Sequence, residues 1–131
     1  MPSNMSQTVL ITGGSRGIGA ACVRTFAENG WNTAFTYSKS REAADRLAGE
    51  TGALALSADQ QDTAAVELAV AEVKARFGTI DAVVCNAGIA EQAMMSMAAG
   101  LALEGKTVVV YSIGNFPTLR CLEQIRNDVC Y

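Results

Sequence analysis

Closely spaced glycines follow the first apolar stretch of the chain, and their spacing limits what this segment can do. Residues 8–19 read TVLITGGSRGIG, in which a β-branched strand pattern precedes the glycines and a helical pattern follows them. Such a sharp turn directs the first free N–H groups of the helix at an anion, and side chains at Gly13, Gly17 or Gly19 would block the turn or the ligand. The spacing therefore predicts a turn that binds a pyrophosphate.

The elements around this turn alternate between strand and helix. Strands are predicted at Thr8 to Thr12, Asn32 to Tyr37, Ala53 to Ser57, Asp81 to Cys85 and Thr107 to Tyr111. Helices are predicted at Gly17 to Asn29, at Arg41 to Leu47, between the cap Asp62 and Gly78, and at Glu91 to Leu103, with a last one that has Pro117 near its start. Short connections favour right-handed crossovers, so we predict an α/β fold with a parallel sheet.

Composition indicates one domain over residues 1–131, since 131 residues with 50% hydrophobic and 18% charged side chains suffice for one core. A net charge of −3 provides no basic face, so nucleic acid is not an expected partner. No apolar stretch is long enough to span a bilayer, and we expect a cytoplasmic protein. The cysteines lack CxxC spacing, which favours free thiols over disulfides or a metal site.

A second motif lies after the fourth predicted strand, where the chain reads Asn86-Ala87-Gly88. Together with TGxxxGxG, this motif resembles the short-chain dehydrogenase/reductase family over residues 8–88. In that family the asparagine supports the central sheet beside a nicotinamide dinucleotide. The cofactor-binding residues that the motifs predict, or that the resemblance implies, are Gly13, Ser15, Arg16, Gly17, Ile18, Gly19, Ser38, Lys39, Arg41, Asp59, Asn86, Ala87 and Gly88.

The end of the second predicted strand bears on which dinucleotide is bound. The resemblance implies an acidic residue there for the ribose 2′-hydroxyl of NAD, but the chain reads Tyr37-Ser38-Lys39. With Arg16, Lys39 and Arg41 nearby, a 2′-phosphate could be paired, which favours NADP. Alternatively, Lys39 and Arg41 only solvate the start of a helix. The resemblance also implies an adenine contact from Asp59, which could equally end a strand and start a turn.

The catalytic pair implied by the family resemblance has no match. That pair is Tyr-x-x-x-Lys, whereas Tyr37 is followed four residues later by Arg41 and Tyr111 by Asn115. The chain has no histidine that could replace the proton donor near neutral pH. Ser112 lies near the position of the family's catalytic serine but is interpreted as structural. These observations predict no catalytic residues.

The last part of the chain reads GIAEQAMMSMAAGLALEGKTVVVYSIGNFPTLRCLEQIRNDVCY and carries a second resemblance. It is similar to the pyrimidine-binding domain of transketolase-like, thiamine-diphosphate-dependent enzymes, in which the glutamate of GIAEQ, here Glu91, activates the pyrimidine. An alternative is that Glu91 only interacts favourably with the helix dipole. Both resembled families are doubly wound, which implies a Rossmann-like three-layer α/β/α sandwich with a five-stranded parallel sheet in the order 3-2-1-4-5.

These observations lead to the interpretation of an engineered chimera, with dehydrogenase-like units in residues 1–88 and a transketolase-like helix-strand-helix segment in residues 89–131. It would have no catalysis of its own and at most weak NADP(H) binding. The alternatives are an NADP-dependent short-chain oxidoreductase and a structural scaffold without a ligand. The apolar side chains of Met94, Met95, Met97, Leu101 and Leu103 predict a core-facing stripe or, as a second hypothesis, a homodimer contact.

Overall fold

Strands and helices alternate along the structure, a computed structural model that describes residues 6–86, 91–105, 107–110 and 121–130. The strands are β1 (Thr8–Ile11), β2 (Asn32–Tyr37), β3 (Leu54–Ser57), β4 (Ala82–Val84) and β5 (Thr107–Val109). The helices are α1 (Gly17–Glu28), α2 (Arg41–Thr51), α3 (Thr63–Phe77), α4 (Glu91–Leu103) and the short α5 (Leu122–Gln124), which continues as a π-helix over Ile125–Val129.

The strands form one parallel sheet in which β1 lies between β2 and β4. The order 3-2-1-4 predicted for the first four strands is the order observed, and the three-residue strand β5 pairs with β4 on its far side. Ile11, the last residue of β1, is in register with Phe35 of β2 and Val84 of β4. The carboxyl ends of these three strands therefore meet at one edge, where ligands bind in open α/β sheets.

Apolar side chains cover both faces of the sheet, which confirms the predicted Rossmann-like α/β fold. On one face, a buried cluster that includes Leu10, Ala34 and Val83 packs against Val73 of α3. On the other face, Ile11 and Phe35 of the sheet pack with residues of α1 and α2. Successive strand residues point to opposite faces, so a strand buried on both sides is expected to be mostly apolar, and β1 is buried throughout with Val9, Leu10 and Ile11 following Thr8.

Several predicted boundaries differ from the observed ones. Helix α2 continues four residues beyond Leu47 to Thr51, and it ends where Gly52 adopts a left-handed conformation (φ 71°). The Asp62 cap of α3 is observed, since its Oδ1 accepts a hydrogen bond from the Ala65 N–H at 3.2 Å. Strand β5 ends at Val109 rather than Tyr111. The helix predicted around Pro117 lies outside the described residues.

The apolar stripe of α4 faces the core in part. Met94 and Leu101 pack against the cluster that contains Val83, whereas Leu103 is 83% exposed. The side chain of Met97 lies outside the described part of the chain. Within the described ranges, no helix has both the length and the apolarity needed to cross a membrane.

Candidate nucleotide-binding site

The turn that joins β1 to α1 uses glycine for backbone conformations that other residues rarely adopt. Gly13 has φ 63° and Gly17 has φ 54°, both in the left-handed region. Helix α1 begins at Gly17 after the extended Arg16, and no side chain caps it. Its first turn therefore presents the positive end of the helix dipole without a competing side-chain acceptor, as an anion site requires.

Two further glycines of the turn are needed because their neighbours leave no room for a side chain. A Cβ at Gly14 would overlap the Phe35 side chain, with Cγ at 2.8 Å. A Cβ at Gly19 would overlap the Gly13 carbonyl and lie 2.6 Å from Asn86 Nδ2. At Gly17 a Cβ would meet no protein atom within 4 Å, so of the two sequence-based reasons, blocking the turn or blocking the ligand, crowding of the turn does not apply. Backbone conformation, and not crowding by the protein, accounts for this glycine.

Asn86 ties the glycine turn to the end of β4. Its Nδ2 donates to the Gly13 carbonyl at 3.0 Å, and its backbone N–H donates to Thr12 Oγ1 at 3.0 Å. The Thr12 N–H in turn donates to the Val84 carbonyl at 2.9 Å. These contacts agree with the structural role that the family resemblance implies for this asparagine. Ala87 and Gly88, predicted beside it, lie outside the described residues, as do Tyr111 and Ser112.

Thr36 of β2 holds the other side of the turn. Its Oγ1 accepts a hydrogen bond from the Gly13 N–H at 3.2 Å, and its carbonyl accepts one from the Gly14 N–H at 2.9 Å. Thr36 is absent from the sequence-based site because its role depends on the pairing of β2 with β1. The signal that could have found it is its position near the end of β2, beside the strand that leads into the turn.

A cleft of about 340 Å³ opens between the turn and the end of β2. It is lined by Gly13, Ser15, Arg16, Thr36, Tyr37, Ser38, Lys39, Ser40 and Ala58. Five of these residues were predicted as cofactor-binding from the sequence, and they come from two separate segments. The structure therefore brings the glycine turn and the Ser38-Lys39 pair to one cavity.

Two charged residues predicted for the site do not line this cleft. Arg41 lies at the start of α2 with its Nε 3.7 Å from Asp45 Oδ2, in an exposed ion pair. Asp59 lies beside the cleft, where its Oδ2 accepts from Ser38 Oγ at 3.4 Å and its Oδ1 accepts from the Gln61 N–H at 3.0 Å. The bond from the Gln61 N–H is typical of an aspartate that starts a turn, which was the alternative interpretation of Asp59.

Two buried titratable groups that do not line the cleft have ordinary structural explanations. Cys85, which precedes Asn86, is a free thiol whose pKa is raised because burial disfavours the thiolate. Glu91 lies buried in the first turn of α4, where the helix dipole favours an acid. Among the described residues, no group of three or more His, Cys, Asp or Glu side chains could hold a metal ion.

Comparison with known proteins shows the family. The model of the short chain dehydrogenase family matches residues 7–99. The chain belongs to this family. The match extends past residue 88, where the sequence suggested a junction, and no finding supports a transketolase-like segment.

Curated relatives share the N-terminal part of the chain. A cyclic-di-GMP-binding biofilm dispersal mediator protein of Escherichia coli (strain K12) is 53% identical over 83 residues, which are 63% of this chain and 33% of that protein. A 3-oxoacyl-[acyl-carrier-protein] reductase FabG of Staphylococcus aureus (strain Mu50) is 38% identical over 90 residues, which are 65% of this chain and 37% of that protein. The chain thus spans about a third of the length of these relatives.

A solved structure extends the likeness. The crystal structure of BdcA in complex with NADPH matches with a TM-score of 0.68 and 35% identity, over 86% of this chain and 54% of that one. Interpreting the protein as an engineered chimera without catalysis is therefore wrong, because its relatives include reductases and an NADPH complex. The findings favour the alternative that the sequence left open, an NADP-dependent short-chain oxidoreductase.

Proposed function

We propose that this chain contributes the dinucleotide-binding site of an NADP-dependent short-chain oxidoreductase. The observation that carries the proposal is the single cleft in which the glycine turn meets Arg16, Ser38 and Lys39. One wall of this cleft suits a pyrophosphate and the other suits a further phosphate. The likeness to a structure in complex with NADPH supports the same cofactor here.

The glycine turn fits a dinucleotide through its backbone. Gly17 begins α1 with φ 54°, and no protein atom lies within 4 Å of the position that its Cβ would take. That open space at the positive end of the helix suits a pyrophosphate oxygen. Asn86 and Thr36 hold the turn from two sides, so its amides are ordered before a ligand binds. Such preorganisation lowers the entropic cost of binding.

The end of β2 determines the choice between NADP and NAD. In NAD-binding sites an acidic side chain bonds the ribose 2′-hydroxyl, and such an acid would repel a 2′-phosphate. Here Ser38 and Lys39 stand at this place, and they line the same cleft as Arg16. A guanidinium binds phosphate in a bidentate manner and a lysine adds a point charge, so we propose that these residues bind the 2′-phosphate.

Bound NADPH supplies a hydride for the reduction of a carbonyl group. The residues described here bind the adenosine half of the cofactor and orient the pyrophosphate on α1. The relative named as a 3-oxoacyl-[acyl-carrier-protein] reductase suggests an oxoacyl thioester as the first substrate class to test. Oxidation of NADPH that depends on such a thioester would support the oxidoreductase function directly.

Titration with NADPH and NADH tests the binding proposal. We expect Arg16→Gln and Lys39→Gln each to weaken NADPH binding by roughly ten- to a hundredfold, because each loses a charge-assisted contact, while NADH binding changes little. Arg76→Gln and Lys74→Gln on α3, far along the chain from the cleft, serve as matched controls. Equal losses for NADPH and NADH would contradict an assignment of these residues to the 2′-phosphate.

A cyclic dinucleotide is the second candidate ligand, because a relative that is 53% identical is named as cyclic-di-GMP-binding. Its phosphodiesters would meet the same cations of the cleft, Arg16 and Lys39. Competition between the two ligands tests this. Displacement of NADPH by cyclic-di-GMP would place both in one cleft, whereas NADPH binding that cyclic-di-GMP leaves unchanged would remove this candidate from the cleft.

A further inference from the structure

The Thr36 side chain lines the nucleotide cleft, and its hydroxyl hydrogen has no acceptor among the residues that the structure describes. Thr36 is only 3% exposed, and its Oγ1 accepts a hydrogen bond from the Gly13 N–H at 3.2 Å. A threonine hydroxyl also carries one hydrogen to donate. Across the part of the chain that the structure describes, nothing accepts that hydrogen. Buried hydroxyls normally find an acceptor, so one has to come from outside these residues.

The position of Thr36 indicates which part of a ligand it meets. It lines the cleft, bonds Gly13 of the glycine turn, and precedes Ser38 by two residues. A dinucleotide with its pyrophosphate on α1 and its 2′-phosphate near Ser38 has its adenosine ribose between these two points. Thr36 lines the same cleft and bonds the turn that would hold the pyrophosphate, so this ribose is the part of the ligand that we expect it to meet.

We propose that the Thr36 hydroxyl donates a hydrogen bond to the 2′- or 3′-oxygen of the ribose in the bound adenine nucleotide. This rests on the proposed function, since it requires a nucleotide in the cleft. Thr36 then has two roles at once. Its oxygen holds the Gly13 N–H, and its hydrogen binds the sugar, so the same side chain couples the shape of the turn to the position of the ribose.

Ligand analogues separate these two roles. Thr36→Val keeps the shape of the side chain but removes the hydroxyl, which leaves the Gly13 N–H without its acceptor and weakens every nucleotide equally. In Thr36→Val, a nucleotide whose ribose has the oxygen that Thr36 contacts also loses that hydrogen bond, whereas an analogue without this oxygen does not. The probes are therefore AMP, 2′-deoxy-AMP and 3′-deoxy-AMP, and their dissociation constants are measured by displacement of fluorescent NADPH from each variant.

We expect Thr36→Val to weaken AMP by about two- to tenfold more than one of the two deoxy analogues, the factor for one neutral hydrogen bond. Thr36→Ser keeps the hydroxyl and should preserve the parent's preference for AMP over that analogue. Thr33→Val is the matched control, because Thr33 is buried in the same strand and donates to the Trp31 carbonyl, and Thr33 does not line the cleft. If Thr36→Val does not fold, Thr36→Ala replaces it.

The outcomes separate this inference from the proposed function. A parent protein that binds neither NADPH nor AMP would overturn both. If the parent binds and Thr36→Val weakens all three probes by the same factor, or weakens none, then Thr36 only supports the turn and this inference falls alone. A selective loss that Thr36→Ser does not show would support it.

Discussion

At the scale of single residues, two uncharged side chains hold the backbone of the glycine turn in place. Asn86 and Thr36 approach the glycine turn from β4 and β2, and each bonds a backbone group of Gly13. A side-chain amide and a hydroxyl suit these places because the turn needs both a donor and an acceptor. The cations at the mouth of the cleft can act only if this frame is in place.

Replacing Asn86 tests the frame on the β4 side. In Asn86→Ala the Gly13 carbonyl loses its donor at 3.0 Å, and we expect NADPH binding to weaken by roughly two- to tenfold, because one neutral hydrogen bond is lost. Asn29→Ala is the control, since Asn29 also donates to a backbone carbonyl, that of Thr25, at an exposed helix end. Fluorescence titration measures both variants. Equal binding by the parent and Asn86→Ala would show that the turn holds its shape without this contact.

The buried thiol of Cys85 predicts how stability depends on pH. Burial raises its pKa above the ordinary value of 9.0, so above this pH the unfolded thiol ionises while the folded thiol remains protonated. The unfolded state then binds fewer protons, and the free energy of unfolding falls as the pH rises through the folded-state pKa. Well below pH 9.0 the Cys85 thiol is protonated in both states, so its ionisation does not lower the free energy of unfolding there.

Urea unfolding from pH 7 to pH 10.5 measures this effect. We expect the parent to lose more stability over this range than Cys85→Ala, which cannot ionise there. Cys130→Ala is the control, because Cys130 is exposed, and it should keep the slope of the parent. Parallel curves for the parent and Cys85→Ala would refute a raised pKa.

At the scale of elements, a comparison of two helical glycines separates the effect of local helix propensity from the effect of tertiary packing. Gly49 lies in the interior of α2, where a Cβ meets nothing within 4 Å, whereas Gly19 in α1 is pressed against Gly13 and Asn86. The helix geometry of the two residues is similar. Their surroundings differ, because only α1 begins at the sheet edge where three strands meet.

Alanine at these two positions should act in opposite directions. Gly49→Ala should stabilise the protein by about 0.5–1 kcal/mol, because alanine has the higher helix propensity and has room. Gly19→Ala should destabilise it by roughly 1–3 kcal/mol, because the added carbon would have to displace Asn86 Nδ2 from 2.6 Å. Denaturant midpoints measure both. A stabilising Gly19→Ala would contradict the close packing of the turn.

The elements also show why part of the site was predictable from sequence. The turn and Asn86 were predicted because glycine spacing and a strand-end asparagine are local signals. The end of α2 was placed too early, since polar residues and Gly49 obscured a helix that Gly52 ends. Thr36 was missed because its role arises only when β2 pairs with β1, and sequence spacing does not give that register.

At the scale of the whole molecule, the largest error concerned the segment after residue 88. The resemblance of the last part of the chain to a transketolase-like segment led to an inferred junction at residue 88, which the family match to residue 99 crosses. Local helix and strand patterns are compatible with many α/β proteins, so they could not decide between two families. One domain over residues 1–131 and self-association through α4 both stay predictions, and light scattering that shows a monomer at high concentration would remove the latter.

Titration of NADPH into the purified protein, followed by cofactor fluorescence, shows whether the cleft binds NADP, with Gly17→Asp as the comparison. A Cβ there would meet no protein atom within 4 Å, and aspartate tolerates positive φ better than most residues, so this variant should fold but repel a pyrophosphate. We predict saturable binding by the parent and none by Gly17→Asp, with cooperative melting of both. A parent that melts cooperatively but shows no saturable binding would contradict the assignment of the cleft to NADP.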